Sequence, residues 1–138
     1  MFEMSKLNIP VIAIIIGEGS SGGALALGVA NQVYMLENAI YSILSPEGYS
    51  SILWKDSSKY KEAAEKMKLT AKELYEMKII DKIIEEPIEI NNKDFEKITE
   101  NIKENIVKEI EQMKKMSRDE LKENRYQKFR KISGYKEV

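Results

Sequence analysis

The chain has 138 residues, 43% of them hydrophobic and 33% charged, which is the composition of one ordinary globular domain. Its 22 basic and 23 acidic side chains nearly cancel, which excludes an overall field drawing it to nucleic acid or to an anionic membrane. With no cysteine and no histidine, it carries no disulfide framework, no Cys/His zinc site, no thiol nucleophile and no Ser-His-Asp triad of its own.

Residues 2–7 read as the end of a helix feeding a strand. Pro10 precedes Val11, Ile12, Ala13, Ile14, Ile15 and Ile16, a largely β-branched run without polar alternation, as a strand covered on both faces requires. The run is too short to cross a bilayer and no basic segment precedes it. The chain therefore reads as cytoplasmic, without a targeting signal, and its lack of cysteine agrees with a reducing compartment. A central parallel strand needs neighbours on both sides, and the strands that follow are too few to supply them. The expectation is that further protein completes the sheet.

The strand ends in Gly17, Glu18, Gly19, Ser20, Ser21, Gly22 and Gly23, then passes into a helix over 24–30 built of small residues that suit close packing on a sheet. Strand, glycine turn and buried helix make an α/β signature. Short strands follow at 32–36 and 39–44, separated by the turn residues Glu37 and Asn38. Ser45 is placed as an N-cap with Pro46 as the first residue of a helix reaching about Trp54. Helical spacing returns over 60–67 and 70–77, the second opened by a Thr70/Glu73 capping box, and a strand at 79–84 is closed by Pro87. From Lys93 onward Phe95, Ile98, Ile102, Ile106, Ile110 and Met113 fall on one stripe of an amphipathic helix of about five turns. Ser117 and Glu120 form a second capping box, starting a last helix through Tyr126 and Phe129 towards Gly134. The chain thus divides into a core segment, 1–90, and a helical extension, 91–138.

The glycine segment admits several chemistries. Gly17, Gly19 and Gly22 match G-x-G-x-x-G after a strand, with Glu37 twenty positions beyond Gly17, a dinucleotide-binding fingerprint. The strand expected at 39–44, where a crossover helix belongs, weakens that reading. A Walker-type phosphate loop is disfavoured because no Lys-Ser or Lys-Thr follows the glycines. Gly22 and Gly23 at a helix start instead offer free backbone N–H groups that can form an oxyanion hole, where a side chain would block approach of the charged oxygen. The plainest reading is that the glycines make a tight turn and let helix and strand pack. Spacing alone leaves these open. Tyr49 and Trp54 read as helix-packing aromatics.

Pro10, Val11 and Ile12 running into the segment 16–29, together with the segments 34–39, 41–42, 45–48 (Ser45, Pro46, Glu47, Gly48), 51–55, 80–87 and 124–129, resemble the carboxyltransferase alpha-subunit family of bacterial acetyl-CoA carboxylase, carboxyl-terminal half, in the family's order across nearly the whole chain. The resemblance implies a crotonase-like α/β fold with a ββα-type core, present here in part and followed by C-terminal amphipathic helices. It implies transfer of a carboxyl group from biotin, held covalently on a separate biotin carboxyl carrier protein, to acetyl-CoA, forming malonyl-CoA for fatty acid synthesis. The implied partners are the carboxyltransferase beta subunit, the biotin carboxyl carrier protein and biotin carboxylase, with an α2β2 heterotetramer when complete, no nucleic acid, no membrane and no metal in this chain.

By the same resemblance Gly22 and Gly23 stand where paired glycines form a backbone N–H oxyanion hole for the biotin enolate, with Gly19, Ser20, Ser21 and Ala24 on the carboxybiotin side. The freed biotin then takes the methyl proton itself, consistent with catalysis by a chain lacking histidine and cysteine. Ser20, Ala30 and Tyr49 depart from the family's usual residues, none of them removing the paired glycines. The larger departure is the family's amino-terminal half, which is absent. Glu18 and Glu47, the nearest acids, read as loop and capping residues rather than general bases, and Ser20 and Ser21 as helix caps. Arg118, Arg125, Lys128, Arg130 and Lys131 read as a solvated helix face rather than contacts to coenzyme A phosphates. The alternatives are a dinucleotide-binding oxidoreductase domain dependent on Glu37 and a non-catalytic interaction module.

Overall fold

The structure is a computed structural model that describes residues 1–87 and 92–132. In chain order the elements are α1 (Phe2–Lys6), β1 (Ile12–Ile15), β2 (Glu18–Ser20), α2 (Ser21–Leu27), β3 (Gln32–Leu36), β4 (Ile40–Ser42), α3 (Pro46–Trp54), a 3-10 turn (Ser57–Lys59), α4 (Tyr60–Met67), α5 (Ala71–Glu76), β5 (Lys82–Ile84), α6 (Asn92–Met113) and α7 (Arg118–Ile132). The expected approach of the last helix to Gly134, and the residues around the 90/91 division, lie outside the described residues.

Two parallel sheets organise these strands. The first has the order β1-β3-β5, with Ile14 opposite Tyr34 and Met35 opposite Ile83. The second pairs β2 with β4, Gly19 lying opposite Tyr41. The strands expected at 32–36 and 39–44 are therefore in different sheets: Glu37 N–H donates to Ile84 O (2.9 Å) and Ala39 N–H to Leu36 O (3.1 Å), and this turn hands the chain from one sheet to the other. The segment read as a glycine turn contains β2, because Gly19 has no side chain. A Cβ there would lie 3.1 Å from Ile15 Cγ2 and 3.2 Å from Tyr41 Cδ2.

The core gathers on β3, whose Val33, Tyr34, Met35 and Leu36 are buried with Ala30, Ala39, Ala71, Leu74, Ile80, Ile84 and Ile98. β1, expected as a central strand, is an edge strand. Among the described residues only β3 pairs with it, so its four residues are half-buried despite being apolar throughout. The two-sided cover that its composition requires is supplied on one side only.

Local signals placed the helices well. Ser45 Oγ accepts from Gly48 N–H (3.2 Å) with Pro46 opening α3, the Thr70/Glu73 capping box forms at α5, and Ser117 N–H donates to Glu120 Oε2 (2.6 Å) while Glu120 N–H donates to Ser117 Oγ (3.3 Å). Tyr49 meets Trp54 edge to face at 5.7 Å, and the Lys66 ammonium lies 5.0 Å from the Trp54 ring, so these aromatics join α3 to α4 as expected. On α6, Ile98 and Met113 are buried and Ile102, Ile106 and Ile110 half-buried, while Phe95 stays exposed. Among the described residues no helix is long and apolar enough to cross a membrane.

α6 is tied to the sheet by polar contacts as well. Tyr34 Oη donates to Glu109 Oε2 (3.3 Å) and Gln32 Nε2 to Glu109 Oε1 (3.1 Å). Burial, then the Glu109 carboxylate, hold the Tyr34 phenol well above its ordinary value. A raised pKa means the neutral phenol's contribution to stability is complete below the unfolded value of about 10 and is lost as pH climbs from there. Urea midpoints should fall between about pH 9 and about pH 11, and Tyr34→Phe should flatten that part of the decline. An unchanged pH slope in the variant would remove Tyr34 from the account.

The basic face expected on α7 is not uniformly solvated. Arg125 is 1% exposed, and Lys128 pairs with Asp81, whose carboxylate also accepts the Val33 N–H (2.7 Å). Burial pushes the Lys128 ammonium down, with Asp81 opposing it. A helix that closes over the carbonyl ends of α1 needs donors there, and the long Arg125 side chain reaches them.

Candidate functional site

The site follows from how β1 is continued. Gly17 leaves β1, β2 runs to Ser20 in extended conformation (φ −131°, ψ 161°), and Ser21, the first residue of α2, reverses the chain with φ 69°. A left-handed non-glycine residue is strained by roughly 1–2 kcal/mol. Ser21→Gly is expected to raise unfolding stability by about 1 kcal/mol, less than the full strain because glycine also loosens the unfolded chain. Urea denaturation measures this, and a loss of stability would show that the Ser21 side chain is needed.

The Ser20 hydroxyl accepts no hydrogen bond from the first turn of α2. The capping role expected for Ser20 is therefore not met: as the last residue of β2, Ser20 follows the sheet's direction, and the left-handed turn comes after it. The first N–H groups of a helix lack an intrahelical carbonyl partner, so the α2 start presents donors with no side-chain cap.

The glycines divide into two groups. A Cβ on Gly28 would collide with Tyr41 Oη and lie 3.2 Å from Ala24 O, and Gly19 is confined by Ile15 and Tyr41. These are packing glycines, as the plainest sequence reading had it. Gly22 and Gly23 are different, since among the described residues a Cβ would meet nothing within 4 Å at Gly22, as at Gly17 where the chain leaves β1, and only Ser21 Oγ at 4.0 Å at Gly23. Neither has a positive φ, and both are exposed. Internal packing and backbone conformation give no reason for glycine at 22 or 23.

Beside them an open groove of about 460 Å³ runs between β1 and α2, walled by Ile14, Ile16, Glu18, Gly19, Ala24 and Leu27 among others. Of the residues assigned to the carboxybiotin side, Gly19 and Ala24 line this groove; Ser20 and Ser21, like Gly22 and Gly23, lie between them in sequence and are exposed. Tyr41 Oη braces α2 from beneath by donating to Ala24 O (3.4 Å), and burial pushes its phenol up. Glu47 sits in the first turn of α3, and Glu18 in the groove wall is the acid placed with the glycines.

The dinucleotide reading finds no support here. The segment that would cradle a pyrophosphate is β2, paired with β4. Glu37, which would hold a ribose, accepts the Glu86 N–H (3.2 Å), while Glu86 accepts the Asn38 N–H (2.9 Å), so the pair braces a loop. Sequence reasoning missed Asn31 and Arg125, which join α7 to the β1 end of the site's scaffold; the bonds between Asn31 and α7 span 90 or more positions of sequence, and no local pattern reports such a distance.

Comparison with known proteins agrees with this architecture. The acetyl co-enzyme A carboxylase carboxyltransferase-like family model matches residues 1–133. The chain is 60% identical over 130 residues to the acetyl-coenzyme A carboxylase carboxyl transferase subunit alpha of Streptococcus uberis, covering 94% of this chain and 49% of that protein. It is 53% identical over 135 residues to the subunits beta/alpha protein of Natranaerobius thermophilus, covering 98% of this chain and 22% of that one. It thus spans about half the length of the alpha-subunit relatives it matches. Among solved structures, the transcarboxylase 12S core aligns with a TM-score of 0.51 at 20% identity, covering 61% of this chain and 19% of that one. A Pseudomonas malonate decarboxylase hetero-tetramer in complex with coenzyme A aligns at 0.53 and 16%, covering 69% and 39%. At those identities the structures speak for the fold alone, which is crotonase-like α/β, as expected. With nearly its whole length matched and its closely similar relatives agreeing, the chain belongs to the acetyl co-enzyme A carboxylase carboxyltransferase-like family.

Proposed function

We propose that this chain supplies the carboxybiotin side of an acetyl-CoA carboxyltransferase that forms malonyl-CoA. The observation that carries the reading is the open space at Gly22 and Gly23, two glycines that nothing inside the described chain requires. Glycine there keeps the N–H groups of the α2 start accessible to an oxygen that gains negative charge, and donors fixed in a helix turn lower a barrier without reorganising. Biotin on its separate carrier protein would be the group that supplies the carboxyl and, once freed of it, the base. The backbone N–H groups of Gly22 and Gly23 would hold its ureido oxygen, with Gly19 and Ala24 in the groove wall beside it and the Ser20 and Ser21 hydroxyls at the turn. No metal from this chain is needed.

The whole activity requires partners: a beta subunit that holds acetyl-CoA, the biotin carboxyl carrier protein, biotin carboxylase as the source of carboxybiotin, and an α2β2 assembly in the cytoplasm. The half-covered β1 edge and the exposed Ile16 and Leu27 beside it support a sheet completed by the part of the protein that the longer relatives possess. The division near residue 90 separates the segment bearing the site from the helices α6 and α7 that brace it. The test mixes this chain with the beta subunit and the complementary amino-terminal half, supplies carboxybiotin carrier, and measures malonyl-CoA. Formation that depends on this chain supports the proposal. An assembly that forms and does not turn over, with or without altered glycines, would favour a non-catalytic interaction module.

A further inference from the structure

Arg125 is almost completely buried, yet its described acceptors are all uncharged. Nη1 donates to Met4 O (3.0 Å) and Leu7 O (2.7 Å), with Ser5 O at 3.5 Å, and Nη2 donates to Ile9 O (3.0 Å) and Asn31 Oδ1 (2.7 Å). Three of these carbonyls belong to the C-terminal end of α1 (Phe2–Lys6, C-cap Leu7), where a helix leaves most of its last carbonyls without an N–H partner and carries partial negative charge, Met4 O alone of the three also accepting the Leu7 N–H (3.3 Å). A cation from α7 therefore closes the end of α1, and four backbone carbonyls take the place of a carboxylate.

The second arm of the guanidinium reaches further. Asn31 Oδ1 also accepts the Val11 N–H (3.2 Å), its Nδ2 donates to Leu121 O (2.9 Å) and Asn124 Oδ1 (3.1 Å), and its own N–H donates to Val11 O (2.9 Å). Asn31 thus joins the start of β1 to α7. It also lies three residues after Gly28, the C-cap of α2. The intervening turn is tight: Ala30 N–H donates to Gly28 O (2.8 Å), and Ala30 is fully buried. α2 has seven residues, about 10 Å of helix, with Gly22 and Gly23 in its first turn and Asn31 joined to its other end only through the tight turn 28–30.

We propose that Arg125 is a positioning residue that fixes, through Asn31 and α2, where Gly22 and Gly23 hold their N–H groups. A helix this short moves as a unit, so a shift of its anchored end displaces its first turn by a comparable amount. Misplacement of a catalytic group by about 1 Å lowers rates by about a hundredfold. The consequence for turnover rests on the carboxyltransferase reading; the positioning itself does not.

The experiment compares wild type with Arg125→Lys, which keeps the charge but cannot bridge both sets of acceptors, and with the milder Asn124→Ala. The chain is labelled uniformly with 15N, a second sample labelled with 15N-glycine assigns the glycine signals, and amide spectra and hydrogen exchange are recorded. The expected result is displaced or broadened Gly22 and Gly23 signals, an unmoved Gly48 signal, and loss of exchange protection at the Val11 and Asn31 amides with the centre of β3 unchanged. In the assembled enzyme kcat should fall about tenfold or more while KM for acetyl-CoA holds. Unmoved Gly22 and Gly23 signals, with lost protection confined to residues 4–11, would overturn the proposal and leave Arg125 as a local cap of α1. If the wild-type assembly makes no malonyl-CoA, the function fails while the glycine signals still decide the positioning. If Arg125→Lys does not fold, the same spectra of Asn124→Ala decide.

Discussion

Gly23→Val is expected to lower carboxyl transfer by a factor of about 10²–10³ while leaving the chain folded. The two halves of that expectation have separate physical causes. Loss of activity follows from putting a branched side chain over an N–H group whose task is close approach to a charged oxygen, and removing one such donor elsewhere has consequences of this size. Retention of the fold follows from the surroundings: a Cβ at 23 meets only Ser21 Oγ, at 4.0 Å. The intrinsic helix preference changes by only a few tenths of a kcal/mol on going from glycine to valine. Malonyl-CoA formation and a urea midpoint, measured on the same preparations, check both. A variant that unfolds would place Gly23 in the scaffold, and a variant that turns over normally would remove it from the site.

Gly28→Ala should do the opposite. Here the added Cβ runs into Tyr41 Oη and approaches Ala24 O at 3.2 Å, and the second of these is helix backbone that cannot step aside. Tyr41 is itself engaged, since its Oη donates to Ala24 O. Overpacking of this kind destabilises by about 2 kcal/mol, and the urea midpoint should fall accordingly. Residual activity should follow the folded fraction. The contrast between the two substitutions carries the argument, because both positions are glycines on or next to one short helix and differ only in what faces them. Equal stability losses at 23 and 28 would mean that both glycines serve packing.

Much of this was legible in the sequence. The apolar run 11–16 announced β1, Ser45 with Pro46 announced α3, and Thr70 with Glu73 and Ser117 with Glu120 announced the starts of α5 and α7, because each is a local device whose partners lie within a few residues. What was illegible depends on distant partners. β2 exists because Gly19 lets the chain lie against Ile15 and Tyr41, and its strand partner β4 is twenty-two positions away. Glu37 carried the spacing of a ribose ligand, but its bond to the Glu86 N–H is 49 positions distant. Arg125 looked like one more solvated cation on a charged helix until its acceptors at Met4, Leu7, Ile9 and Asn31 were seen. Ser20 read as a cap from residue type alone, whereas the turn into α2 is made by the left-handed Ser21 at the helix's first position.

The most direct test uses the chain's seven glycines as reporters. In the complex of 15N-glycine-labelled chain with the beta subunit and the complementary half, biocytin is titrated in to imitate biotin on its carrier lysine. The Gly22 and Gly23 amide signals should move downfield with saturating dependence while those of Gly28 and Gly48 hold still. If biocytin binds and moves other glycines but leaves Gly22 and Gly23 where they were, the pair does not hold the ureido oxygen and the proposed site is wrong.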